Sequence, residues 1–124
     1  SFFTPQRGDD SAECLTSSER SQAIEDLLRL RNQFPKLDMG QGTIRAFAQP
    51  PRSPEECIFS QTTLNIWADL KTTVSPCQFG GDPDCSRCGC MASMGLAAVG
   101  HHRLPGGIRL ERIFRTSVQI GKLF

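Results

Sequence analysis

The sequence reads as a small α+β domain: an N-terminal helix, a β-hairpin, and a cysteine-rich metal-binding loop followed by a short helix. Three observations lead to this reading. A capping box opens a helical apolar pattern near residue 17. A β-branched and aromatic run at 58–67 is followed by a short return segment. Four of the six cysteines crowd into residues 77–90. The length of 124 residues suits one domain with a modest core.

The chain begins Ser-Phe-Phe-Thr-Pro, where Phe2 and Phe3 suit a short strand stopped by Pro5. Thr16-Ser17-Ser18-Glu19 is a capping box, in which a hydroxyl and a carboxylate three residues later satisfy open backbone N–H groups. Ala23, Ile24, Leu27, Leu28 and Arg31 follow at helical spacing, and Pro35 disfavours helix at Phe34. The expected helix is 17–33. Residues 38–56 read as irregular, broken by Gly40, Gly42, Pro50, Pro51 and Pro54, with at best a short strand at 43–47.

The run at 58–67 has strand character, and 69–71 suits a turn leading to a return strand at 72–74. Such a hairpin sets Cys57 at one foot and Cys77 at the other, with both sulfurs at one end of the ribbon. Residues 78–90 form a loop with Gly80, Gly81, Pro83 and Gly89. A short helix is expected over 91–99, with Gly100 as its cap, then a turn at Pro105-Gly106-Gly107. A last helix is expected around 110–117. Trp67 and the phenylalanines are expected to fill the core.

The balance of charge and hydropathy excludes several functions. Fourteen basic residues face thirteen acidic ones, for a net charge of +1, which leaves no electrostatic footprint for nucleic acid and no polybasic membrane patch. No apolar run approaches the ~18 residues needed to span a bilayer. The chain opens on Ser1 without a signal-peptide pattern, which reads as a processed end or an excised domain. No Ser/His/Asp or Cys/His triad, phosphate-binding loop or dinucleotide fingerprint is visible.

The cysteines carry the chemistry. Nineteen residues separate Cys57 from Cys77, seven separate Cys77 from Cys85, two lie between Cys85 and Cys88, and one lies between Cys88 and Cys90. Disulfide frameworks spread their bridges to staple distant loops, so crowding of this kind favours one shared metal. Disulfides and buried free thiols are the competing readings, and a bridge between Cys88 and Cys90 would be strained. A Cys-x-x-Cys step lets two thiolates point at one centre, and Gly89 permits the tight backbone between Cys88 and Cys90. Cys90 also opens a helix, whose N–H groups lower a thiol pKa. Thiolates select zinc or iron–sulfur clusters. A structural zinc site tends to use two regular Cys-x₂₋₄-Cys pairs, whereas this chain has one, which favours a cluster. Cys14 stands alone and reads as a structural thiol. His101 and His102 read as a solvated helix end, and Asp82 and Asp84 as turn formers and caps.

A resemblance extends this reading. Cys57-Ile58-Phe59-Ser60, Ala68-Asp69-Leu70-Lys71 and Val74-Ser75-Pro76-Cys77 resemble the auxiliary-cluster region of radical S-adenosylmethionine enzymes, called SPASM or, when shortened, twitch. Residues 76–90 are similar to C-terminal tails in that superfamily, although Thr72 stands where the motif has glycine. Phe2-Phe3-Thr4-Pro5 and the helix ending Phe34-Pro35-Lys36-Leu37 are similar to the last strand and helix of a radical SAM barrel. The resemblance implies two parts: the barrel tail over 1–37 and an auxiliary-cluster domain over 38–124. Five candidate cysteines are fewer than the full motif has, which implies one [4Fe–4S] cluster held by Cys57, Cys77, Cys88 and Cys90, with Cys85 as substitute or fifth ligand. The implied role is electron transfer or substrate anchoring for a catalytic barrel upstream in the same chain, in the cytoplasm. The Cys-x₃-Cys-x₂-Cys motif that binds the catalytic cluster is absent, so these residues would be the non-catalytic part of such an enzyme. The alternative is a structural zinc-binding interaction module.

Overall fold

In a computed structural model that describes residues 1–123, five helices and one antiparallel hairpin form a small α+β domain. The helices are α1 (Ser17–Gln33), α2 (Gln41–Ala46), α3 (Ile58–Thr62), α4 (Met91–Gly100) and α5 (Leu110–Gly121). The hairpin pairs β1 (Asn65–Ile66) with β2 (Thr73–Val74), in the register Asn65 to Val74 and Ile66 to Thr73. Cys85–Arg87 forms a single 3₁₀ turn. Helix α4 lies at the centre and packs against α2, α3 and α5, while α1 packs on α2. Among the described residues, no helix is long and apolar enough to cross a membrane.

Helix α1 starts where its sequence directs. Thr16 Oγ1 accepts from the Glu19 N–H at 3.3 Å, and Glu19 Oε2 accepts from the Thr16 N–H at 2.8 Å, closing the capping box. Its apolar stripe turns Ile24 into the core beside Leu27 and Leu28. Ile44 and Phe47, three positions apart on α2 and its cap, are buried against Met94 of α4. Gly42 faces α4 at Ala98, where an added Cβ would make an ordinary 3.5 Å contact with Ala98 Cβ. Burial of each such side chain contributes roughly 1.5–3 kcal/mol. Cys88 and Cys90 belong to the same core cluster, so the cysteine loop is built into the hydrophobic centre.

Several expectations are corrected. Residues 41–46 are helical rather than strand-like, because the helix delivers Ile44 and Phe47 to one face. The hairpin is only two residues per strand, and 58–62 forms α3 instead of extending it. Strand propensity loses there to local capping and tertiary packing. Cys57 caps the helix, and buried Ile58 packs so closely on α4 that a Cβ at Gly100 would sit 2.5 Å from its Cδ1. Phe2 and Phe3 form no strand, and pairing near the N-terminus is a single bridge between Gln6 and Pro83. Trp67 is 62% exposed, and of the phenylalanines Phe47 fills the core while Phe3, Phe34 and Phe79 are exposed. Gly100 is the last residue of α4 and His101 is its cap.

The N-terminal segment instead lies along the cysteine loop. The Phe2 N–H donates to Gly89 O at 3.0 Å, the Gly89 N–H to Thr4 Oγ1 at 2.9 Å, and the Asp84 N–H to Pro5 O at 2.8 Å. The Arg7 N–H donates to Asp82 O at 2.9 Å. The N-terminal segment and the loop thus stabilise each other across more than seventy positions of sequence.

Candidate metal centre

Cys57, Cys77, Cys85, Cys88 and Cys90 line one pocket, together with Thr4, Pro51, Pro54, Phe59, Ser60, Phe79, Pro83 and Ser93. Four of the five are buried, Cys77 is half-buried, and none is disulfide-bonded. Local structure explains how each arrives. Cys57 is the N-cap of α3, where its Sγ accepts from the Ser60 N–H at 3.5 Å. Ser60 Oγ then donates to Pro76 O at 2.7 Å, which ties α3 to the segment carrying Cys77. So Cys57 and Cys77 do meet, through a helix cap and a side-chain hydrogen bond rather than as the two feet of a ribbon. Asp84 caps the 3₁₀ turn, accepting from the Ser86 N–H at 3.1 Å, and so sets Cys85. Cys90 is the N-cap of α4, with its Sγ accepting from the Ser93 N–H at 3.4 Å.

Gly89 is required here by proximity. Its backbone lies so near the N-terminal segment that a Cβ would fall 2.1 Å from Phe2 O and 2.4 Å from Phe2 C. No side chain fits, and the turn between Cys88 and Cys90 stays tight for that reason.

Two sulfurs make further hydrogen bonds. Gln78 Nε2 lies 3.1 Å from Cys90 Sγ, oriented to donate, and Ser93 Oγ lies 3.1 Å from Cys57 Sγ. The thiols also feel one another. Burial pushes Cys85 up to about 11, and the nearby Cys88, Cys77 and Cys57 add to it, partly offset by Arg7. Burial likewise raises Cys77 and Cys88, the latter against a lowering hydrogen bond from the Cys90 backbone. Clustered buried thiols resist ionisation until a cation neutralises them, so any metal bound by these sulfurs would displace protons.

The donor set suits a soft metal: five thiols, with no carboxylate or imidazole in the wall. The pocket that these residues line encloses about 20 Å³, roughly one water's worth. Among the described residues, no three histidine, cysteine or acidic side chains already stand in position around a single ion. A preformed zinc site would hold its sulfurs about 2.3 Å from one centre, and these sulfurs are not so placed.

The other candidates fall outside the pocket. Cys14 Sγ lies 3.5 Å from Ser11 Oγ and 3.6 Å from Asp9 O, in a local turn. His101 and His102 are exposed. His101 lines an adjoining cavity with Glu111 and Arg115 that shares Pro51, Cys57 and Ser93 with the cysteine pocket. Asp82 accepts from Arg7 Nε at 3.1 Å. Residues that spacing did not single out include Thr4, Gln78, Ser93 and Arg20, whose guanidinium holds the carbonyls of Arg87 and Cys88.

The chain matches no family model, no curated protein and no solved structure.

Proposed function

We propose that this chain is an iron–sulfur cluster-binding accessory domain of a radical S-adenosylmethionine enzyme. The observation that carries the reading is the convergence of five thiols, from α3, β2's far end, the 3₁₀ turn and the start of α4, on one pocket without competing ligands. Cys57, Cys77, Cys88 and Cys90 would hold one [4Fe–4S] cluster, with Cys85 as substitute or fifth ligand. When bound, such a cluster supplies one-electron transfer, or an open iron position where one protein ligand is missing. The residues' own contribution is separate. Helix caps orient Cys57 and Cys90, and the N–H groups of Ser60, Ser93 and Gln78 stabilise negative charge on sulfur. The resemblance over 57–90 supplies the link to a catalytic barrel upstream and to a cytoplasmic setting.

The same all-thiol wall, without carboxylate or imidazole, also fits a second reading, a structural zinc module. Anaerobic incubation with iron and sulfide separates them. The cluster reading expects a brown protein with broad visible absorption that bleaches on dithionite reduction. A colourless protein that takes up zinc, and unfolds when chelator removes it, would overturn it.

A further inference from the structure

Arg20 lies on α1, far in sequence from every cysteine of the pocket, yet its side chain ends at the cysteine loop. Nε donates to Phe47 O at 2.8 Å, Nη1 to Arg87 O at 3.2 Å and Nη2 to Cys88 O at 2.6 Å. The guanidinium also stands 5.3 Å from the centre of the Phe2 ring, which in turn packs on Phe47 at 4.8 Å. One planar fork thus ties together α1, the end of α2, the N-terminal segment and the backbone that carries Cys88. A lysine, with a single point of charge, cannot reproduce three divergent bonds.

The charge of this group is unusual for its setting. Arg20 is half-buried, and among the described residues no carboxylate pairs with it. Its partners are neutral carbonyls, so its positive charge is not cancelled locally. By contrast Arg7, a second cation near the pocket, is exposed and paired with Asp82 at 3.1 Å, and Arg87, within the 3₁₀ turn itself, is half-buried. An unpaired, partly buried cation acts more strongly on neighbouring charge than an exposed ion pair does.

From this geometry we infer that Arg20 is a positioning residue of the cysteine site: it clasps the Cys88–Cys90 loop in its inward course and serves as counter-ion to the negative charge of the loaded centre. The counter-ion role rests on the iron–sulfur reading; the clasp does not. Positive charge beside a cluster favours its reduced, more negative form, so Arg20 raises the reduction potential.

Four chains decide it: the parent, Arg20→Lys, Arg20→Met and Arg7→Gln. In metal-free protein, alkylation followed site by site by mass spectrometry should speed up several-fold at Cys88 and Cys90 in Arg20→Met, with Cys57 unchanged. Equal acceleration at all five cysteines means general loosening and overturns the clasp, as does no acceleration. After reconstitution, Arg20→Met should shift the potential to more negative values, Arg20→Lys should stay near the parent, and Arg7→Gln should shift it less than Arg20→Met. A parent-like potential in Arg20→Met, or a shift in Arg20→Lys as large as in Arg20→Met, overturns the counter-ion role. A parent chain that takes up no cluster sinks that role together with the reading beneath it, while the alkylation rates still judge the clasp.

Discussion

Replacement of Gly89 by alanine probes the joint between the N-terminal segment and the cysteine loop. The added Cβ would lie 2.1 Å from Phe2 O, 2.4 Å from Phe2 C and 2.7 Å from Phe2 Cβ. Two of these atoms are backbone, so no rotamer change relieves the clash, and residues 1–4 must move away. That movement breaks the Phe2 N–H to Gly89 O bond at 3.0 Å and the buried Gly89 N–H to Thr4 Oγ1 bond at 2.9 Å. Each hydrogen bond contributes about 0.5–1.5 kcal/mol net. The Phe2–Phe47 ring contact at 4.8 Å would be lost as well, and such a pair contributes about 0.5–1.5 kcal/mol. The expected cost is about 2–4 kcal/mol, read by chemical denaturation of the metal-free protein. Gly95→Ala is the control. A Cβ at Gly95, inside α4, meets nothing within 4 Å, so that change should be neutral or stabilising by up to about 1 kcal/mol. If Gly89→Ala is no less stable than Gly95→Ala, the proposed contact between the N-terminal segment and the loop is wrong.

Other perturbations test separate parts. Phe47→Ala, at a fully buried ring beside Ile44 and Met94, should cost about 3–5 kcal/mol in a denaturant titration; a cost below 1 kcal/mol would show that α2 is not packed as described. In metal-free protein the Cys85 thiol is raised from 9.0 to about 11, chiefly by burial. The folded state then keeps a proton that the unfolded state releases, so stability should be fully present below about pH 9 and fall as pH rises toward 11. A denaturation series across that window should become shallower in Cys85→Ala, with the raised Cys77 and Cys88 thiols keeping the remainder, and an unchanged slope would contradict the assignment. Cys88→Ser and Cys90→Ser should each lose metal and weaken the core they belong to, whereas Cys14→Ser should do neither; equal metal loss in all three, measured by elemental analysis, would refute the choice of ligands.

Local signals in the sequence were reliable where they act within one turn. The capping box of Thr16 and Glu19 and the stop before Pro35 define α1 as it stands. Cys90 at the head of α4 was equally legible, because a helix N-terminus needs a capping acceptor and the apolar run began there. Residues 58–62 were misread because β-branched and aromatic types mark a half-buried surface rather than a strand as such. What decided that segment was Cys57 acting as a cap and Ile58 reaching α4, and neither is visible without the fold. The grouping of Cys57 with Cys77 was right for a different physical reason, since Ser60 bridges to Pro76. Arg20 and Thr4 were invisible: both act on backbone groups more than sixty positions away, and a hydrogen bond to a carbonyl or amide leaves no residue-type pattern.

The most direct test of the proposed centre is elemental: iron and acid-labile sulfide measured per chain after anaerobic reconstitution and desalting, with zinc offered in a parallel sample. A [4Fe–4S] site should return about four iron and about four sulfide per chain, and both should be lost in Cys88→Ser. About one zinc per chain with no retained sulfide would contradict it.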